Sequence, residues 1–169
     1  MANHPHKTQF TPSAFITAIQ AAKLIPEIGK GAVEKCYKSV IQAESNTTFT
    51  GSVDLDSFFS KTEPHANRWD YGLGIQKQGQ PEIAIWIEPH SGGSTKEVKT
   101  VLAKLDWLEK KLAQPDFAQL KQLTEKAQQQ NIKRFIWLSS GSCRIRPGSR
   151  EAHLLAARGL DLPRACVKI

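Results

Sequence analysis

Residues 82–90 read Glu82-Ile83-Ala84-Ile85-Trp86-Ile87-Glu88-Pro89-His90, and this stretch decides the fold. Ile83, Ile85 and Ile87 alternate with Ala84 and Trp86, so both faces of an extended segment are apolar. Such a strand belongs at the centre of a sheet, covered on both sides. Before it, Gln78-Gly79-Gln80-Pro81 reads as a turn, and Trp69 to Gln76 reads as a strand. The two runs form a hairpin. Further upstream, Thr47 to Leu55 is rich in Thr and Val and supplies a third strand.

The helices follow from apolar spacing. Val98, Val101, Leu102, Leu105, Leu108 and Leu112 recur at helical intervals after Ser91-Gly92-Gly93. They predict an amphipathic helix capped by Ser94 or Thr95, running to about Ala113 and stopped by Pro115. A shorter helix covers about Asp116 to Gln129. Arg134 to Ser139, with Phe135, Ile136, Trp137 and Leu138, is a fourth, buried strand. Near the start, Thr11 caps and Pro12 opens a helix marked by Phe15, Ile16, Ile19 and Ala22. Pro26 and the Gly29/Gly31 pair break it, and a second helix runs from about Ala32 to Ile41. Ser149 to Arg158 forms a short terminal helix ended by Gly159.

The core order is therefore helix, three strands, helix, strand. The Glu88 strand, the helix after it and the Trp137 strand make a crossover unit. This predicts an α/β (α+β) fold with a mixed central sheet of about four strands and helices on both faces. With 169 residues, 40% of them apolar and 23% charged, the chain fits one domain over residues 11–169. Residues 140–169 form a basic C-terminal extension, and residues 1–10 read as a polar, disordered start.

No apolar run near Met1 has the length of a secretory signal, and none is long enough to span a membrane. Cys36, Cys143 and Cys166 are odd in number and widely spaced, which suits reduced thiols. The expected location is cytoplasmic. Net charge is +7 and unevenly spread: from Asn131 onward eight basic residues face two acidic ones. Arginines such as Arg144, Arg146 and Arg150 suit a phosphate backbone, because a guanidinium binds its oxygens bidentately. A solubilising basic face is the plain alternative.

Two carboxylates stand out by position. Asp70 opens the second strand and Glu88 ends the third, 18 residues apart. A hairpin brings such strand-end positions together, and paired carboxylates suit a hard cation such as Mg²⁺ or Mn²⁺. His90 lies two residues beyond Glu88, on the same side of an ideal strand. Lys104 or Lys99, on the following helix, supplies a cation for a phosphoryl transition state. Asp54 and Asp56 are a second acidic pair, able to replace Asp70 if the register differs; Asp56 alternatively caps a short helix at Ser57-Phe58-Phe59. Trp86, Trp107 and Trp137 read as core. Trp69 reads as core or, beside Asp70, as a platform for a base. Ser139-Ser140-Gly141-Ser142 reads as a turn or a phosphate-holding loop.

This arrangement resembles the PD-(D/E)XK nuclease superfamily over about Pro12 to Ser139. The resemblance implies that Asp70 and Glu88 are the metal-binding acids and that Glu34 or Glu27 joins them from the first helix. Where the motif expects Lys the chain has His90, and the resemblance admits Lys104 or Lys99 in its place. It implies a Mg²⁺- or Mn²⁺-dependent endonuclease acting on DNA or RNA. The alternative is a catalytically inactive module of the same fold that binds nucleic acid or a protein partner.

Overall fold

The computed structural model describes residues 12–92, 94–139 and 141–169. Its centre is the run read first: β5 (Ile83–Pro89) is buried at all seven positions. It pairs antiparallel with β4 (Tyr71–Lys77), which pairs antiparallel with β3 (Thr47–Asp54). On its other side β5 runs parallel to β6 (Phe135–Leu138). A parallel neighbour needs a crossover, supplied by α4 (Thr95–Leu112), a 3₁₀ turn at Pro115–Phe117 and α5 (Ala118–Gln129). The two-residue β1 (Glu27–Ile28) adds to β3, giving a mixed five-stranded sheet in the order β1-β3-β4-β5-β6. The remaining elements are α1 (Ala14–Ala21), α2 (Lys35–Lys38), β2 (Ile41–Gln42), α3 (Leu55–Phe59), α6 (Arg150–Ala157) and β7 (Val167–Lys168).

The alternation along β5 sorts the core into two clusters. Ala84 and Trp86 join Phe15 and Ile19 of α1, Val101 and Leu105 of α4, Leu120 of α5 and Leu155 of α6. Ile83, Ile85 and Ile87 join Leu73, Ile75, Ile136, Val33, Ile41 and Val167 on the second face. The longer helices thus cover one face. The other is covered by α2 and by a parallel β2–β7 pair. Trp86 keeps its indole N–H bonded in the core by donating to Thr124 Oγ1 at 2.9 Å. Gly72 and Gly74 make room for the large rings on that face. A Cβ at Gly72 would lie 2.6 Å from the Trp86 ring, and one at Gly74 2.5 Å from Phe15.

Several boundaries differ from the sequence reading. Helix α1 starts at Ala14, and its cap is Ser13, whose hydroxyl accepts from the Ile16 amide at 3.2 Å. Thr11, the expected cap, and residues 1–10 lie outside the described residues. The second helix, expected over Ala32 to Ile41, shrinks to Lys35–Lys38. The Lys30 ammonium takes the carbonyls of Lys38 (2.5 Å) and Ile41 (2.7 Å), and Ile41 enters strand β2. Asp54, not Asp56, caps α3, accepting from the Ser57 amide at 2.8 Å. The C-terminal segment is no loose extension: Ile145, Leu155 and Leu160 are buried in the first cluster and Val167 in the second.

Glu82, at the foot of β5, anchors α1 from a distance. Its carboxylate accepts from the Ala14 amide (2.6 Å), the Phe15 amide (3.2 Å) and the Ser13 hydroxyl (2.6 Å). Those amides have no partner within the helix, and a negative charge complements the helix dipole there. Glu82→Gln is expected to lower stability by about 1–2 kcal/mol, at the upper end for a helix cap. Urea unfolding checks this; an unchanged midpoint would mean that water replaces the carboxylate without loss.

Candidate functional site

The hairpin register builds the site. Tyr71 pairs with Ile87 and Gly72 with Trp86, so the next step outward sets Asp70 opposite Glu88. The Asp70 amide donates to Glu88 Oε2 at 3.1 Å. Because Asp70 and Glu88 keep step with Gly72 and Trp86, both carboxylates lie on the α4 face. Helix α4 buries Val101, Leu105 and Leu108, and Lys104 sits at the margin of that stripe. Its ammonium donates to Asp70 Oδ1 at 2.9 Å and also to Glu88 Oε1. Glu88 is fully buried, while the side chains of Asp70 and Lys104 are 23% and 16% exposed. The triad is thus a largely buried cluster in which only Asp70 and Lys104 keep some contact with solvent.

His90 stands beside it. Its Nδ1 is 3.8 Å from Glu88 Oε1, and its Nε2 bonds to Glu97 in the first turn of α4. The His90 backbone is fixed by its amide donating to the Leu138 carbonyl (2.9 Å) and by its carbonyl accepting from Trp137 Nε1 (2.8 Å). Glu97 was not singled out in the sequence; one turn into an amphipathic helix, it looks like an ordinary first-turn acid. Tyr37 was also missed. It lies near enough that burial first, then the charges of Cys36, Glu34, Asp70 and Glu88, push its hydroxyl upward.

Electrostatics set the triad apart from ordinary surface pairs. Burial raises the Asp70 carboxyl above its usual range even though Lys104 opposes the shift. Glu88 is pushed well above its usual range, by burial first and by Asp70 second. Burial works against the Lys104 ammonium, but Glu88 and Asp70 outweigh it and hold Lys104 charged. Fully ionised, the three groups carry one net negative charge in a place short of water. Desolvation makes buried ion groups poor stabilisers, and perturbed carboxylates concentrate at functional sites.

The other expected residues divide. Trp69 is fully buried and packs edge-to-face on Phe135, centroids 6.2 Å apart. It is core, and no base can reach it. Arg68 pairs with Asp56 at 2.9 Å, and Asp54 is spent on its cap, so neither aspartate replaces Asp70. Lys99 is exposed on α4 and makes no ion pair among the described residues, leaving Lys104 as the lysine at the carboxylates. Neither Glu27 nor Glu34 is on the first helix: one lies in β1, the other immediately before α2, where its side chain makes no capping bond. Arg144, Arg146 and Arg150 are exposed. The Arg144 amide donates to the Gly92 carbonyl at 3.2 Å, which holds that loop against the turn two residues beyond His90. Other cations of the tail are paired internally, Arg158 with Asp106 and Glu109, while Lys133 and Arg164 share Asp161.

Among the described residues no group of three or more His, Cys, Asp or Glu side chains is arranged to hold a metal ion. Two carboxylates are still an adequate protein share for Mg²⁺, which takes its other ligands from water and substrate phosphate. Both Glu88 oxygens are already taken, Oε1 by the Lys104 ammonium and Oε2 by the Asp70 amide, so a divalent cation at the two carboxylates would have to take the place of that ammonium. No helix among the described residues is long and apolar enough to cross a membrane. No family model, curated protein or solved structure matches this chain.

Proposed function

We propose that the chain is a metal-dependent phosphodiesterase of the PD-(D/E)XK kind, acting on DNA or RNA. The observation that carries this reading is the meeting of Asp70, Glu88 and Lys104 at one point of a helix–three strands–helix–strand core. Asp70 and Glu88 would hold Mg²⁺ or Mn²⁺, which supplies charge stabilisation and an acidified water. Lys104, displaced from the carboxylates but still tethered by α4, offers its ammonium to the negative charge that grows on phosphate oxygens. Glu97 holds the His90 ring through Nε2, so Nδ1 faces Glu88 and the reacting region. Arg144, Arg146 and Arg150, exposed on the segment that the Arg144 amide ties to the loop after His90, would bind backbone phosphates.

The test is incubation of the protein with plasmid, single-stranded DNA and structured RNA, each with Mn²⁺, Mg²⁺ or EDTA. Asp70→Ala and Glu88→Ala run alongside. Metal-dependent cleavage that both variants abolish supports the reading. A second reading is favoured by the same lysine: its ammonium already neutralises part of the carboxylate charge, as in a module that binds without turnover. Salt-dependent binding without cleavage, indifferent to Asp70→Ala, would favour that module.

The arginine role has its own signature. Arg144→Ala with Arg146→Ala is expected to weaken binding about equally for all sequences. The slope of log affinity against log salt falls by about 2, roughly one for each lost phosphate contact. Titrations at several salt concentrations check it, and an unchanged slope would move the phosphate grip elsewhere.

A further inference from the structure

A cavity of about 230 Å³ opens at the far end of β4 from Asp70. Asp70 precedes the first residue of β4, and Lys77, on the cavity wall, is the last. Roughly 20 Å of strand separates the two places. The cavity exists because the chain doubles back after β6. The Arg164 amide donates to the Trp137 carbonyl (3.1 Å) and the Ser139 amide to the Arg164 carbonyl (2.8 Å). From there β7 reaches β2 across the second face of the sheet.

Ile75, Ile132, Ile136 and Val167 give the cavity apolar walls. Its charged lining is uneven: Lys77, Lys133, Arg164 and Lys168 face only Glu44 and Asp161. Asp161 is shared between Lys133 (3.0 Å) and Arg164 (2.7 Å), and Glu44 lies 3.5 Å from Lys77. Lys168 is exposed and pairs with no acid among the described residues. Apolar walls with a few convergent polar groups are the usual form of a small-molecule site, and these groups select the sign of the ligand. We infer that this cavity binds a small amphipathic anion, an apolar body bearing one carboxylate or phosphate head. The body lies against Ile75, Ile136 and Val167. The head meets Lys168 and Lys133, taking over part of the role of Asp161. The volume admits a mononucleotide or a medium-chain acid and little more. This site is independent of the Asp70–Glu88 reading.

The test uses two matched probe pairs, octanoate with octanol and adenosine monophosphate with adenosine, titrated while amide chemical shifts are followed. At least one anion is expected to move the amides of Ile136, Val167 and Lys168, and to bind about tenfold or more tightly than its neutral partner. Which anion does so separates an acyl ligand from a nucleotide. The exposed pair Lys133→Gln and Lys168→Gln is expected to shift the melting temperature little, because exposed ion pairs contribute little, and to lose that binding by a further tenfold or so. If neither anion shifts these amides, or the neutral partner binds equally well, or the double variant binds unchanged, the inference is overturned. Cleavage assays read none of these outcomes, so the two sites fail or stand separately.

Discussion

Lys104→Met is expected to destabilise the protein by about 3 kcal/mol at pH 8, the low end for removing one partner of a buried ion group. The low end applies because Asp70 and Lys104 keep some contact with solvent. Without the ammonium, Asp70 and Glu88 face one another across the hairpin with only the Asp70 amide between them. Their carboxyls already sit above the ordinary range, both by burial first and Glu88 also by the charge of Asp70, and losing Lys104 raises them further. The pH dependence follows from the sign of that shift. An acid whose folded value is raised binds more protons in the native state, so its stability contribution is complete below the unfolded value of about 4 and is lost as pH rises through the raised one. The variant should therefore come close to wild type near pH 4.5 and fall away toward pH 8. Urea unfolding at both values checks this. An equal deficit at both would show that Lys104 contributes by packing its aliphatic stem, with no coupling to the acids.

The convergence of Asp70 and Glu88 was legible because a hairpin has a centre. The turn lies at Gln78 to Pro81, and Gly79 within it is midway between Asp70 and Glu88. A period-two strand then carries both side chains to one face. Lys104 was legible only as one of two lysines. Helical phase put it beside Val101, Leu105 and Leu108, but only the packing of α4 on the sheet separates it from Lys99. For Trp69 the sequence leaves core packing and base stacking both open, and tertiary packing decides. Trp69 precedes β4, so strand alternation does not fix its direction; it packs against Phe135 in the same cluster as Trp86 and Leu105.

The misread helix at Ala32 to Ile41 shows where local pattern fails. Val33, Cys36, Tyr37 and Val40 do recur at helical spacing. Yet Ile41 and Gln42 pair with Val167 and Lys168, residues more than a hundred positions away. No local signal announces a two-residue parallel pair. Nor does one announce that Lys30 will bind carbonyls a longer helix would have used itself. The same applies to Glu82, whose partners on α1 lie 67 to 69 residues away.

Glu88→Gln is expected to lower any metal-dependent cleavage by about 10²–10³-fold while leaving the fold intact, and this pairing separates a chemical role from a structural one. The amide keeps the shape of the side chain. With its oxygen accepting from the Asp70 amide, its nitrogen takes the place of Oε1 and turns a donor toward the Lys104 ammonium, which keeps Asp70 as its partner. One buried negative charge is lost with it, so the melting temperature at pH 8 should fall by less than that of Lys104→Met. Chemistry suffers for the same reason: an amide oxygen is a poorer ligand for a hard cation than a carboxylate, and removing a single charge-stabilising contact commonly costs two to three orders of magnitude. Nucleic-acid affinity should be nearly unchanged, because Arg144, Arg146 and Arg150 are exposed and none pairs with Glu88. Three measurements on one variant (melting, binding and cleavage) then read three separate links. A stable variant that binds but does not cut would assign Glu88 to the reaction. A variant that cuts at the wild-type rate would leave Glu88 as a structural acid and remove the metal from this cluster. A variant that fails to melt cooperatively would make Glu88 a required partner of Lys104, with cleavage then judged from Asp70→Asn, whose side chain is partly exposed and whose loss the fold tolerates better.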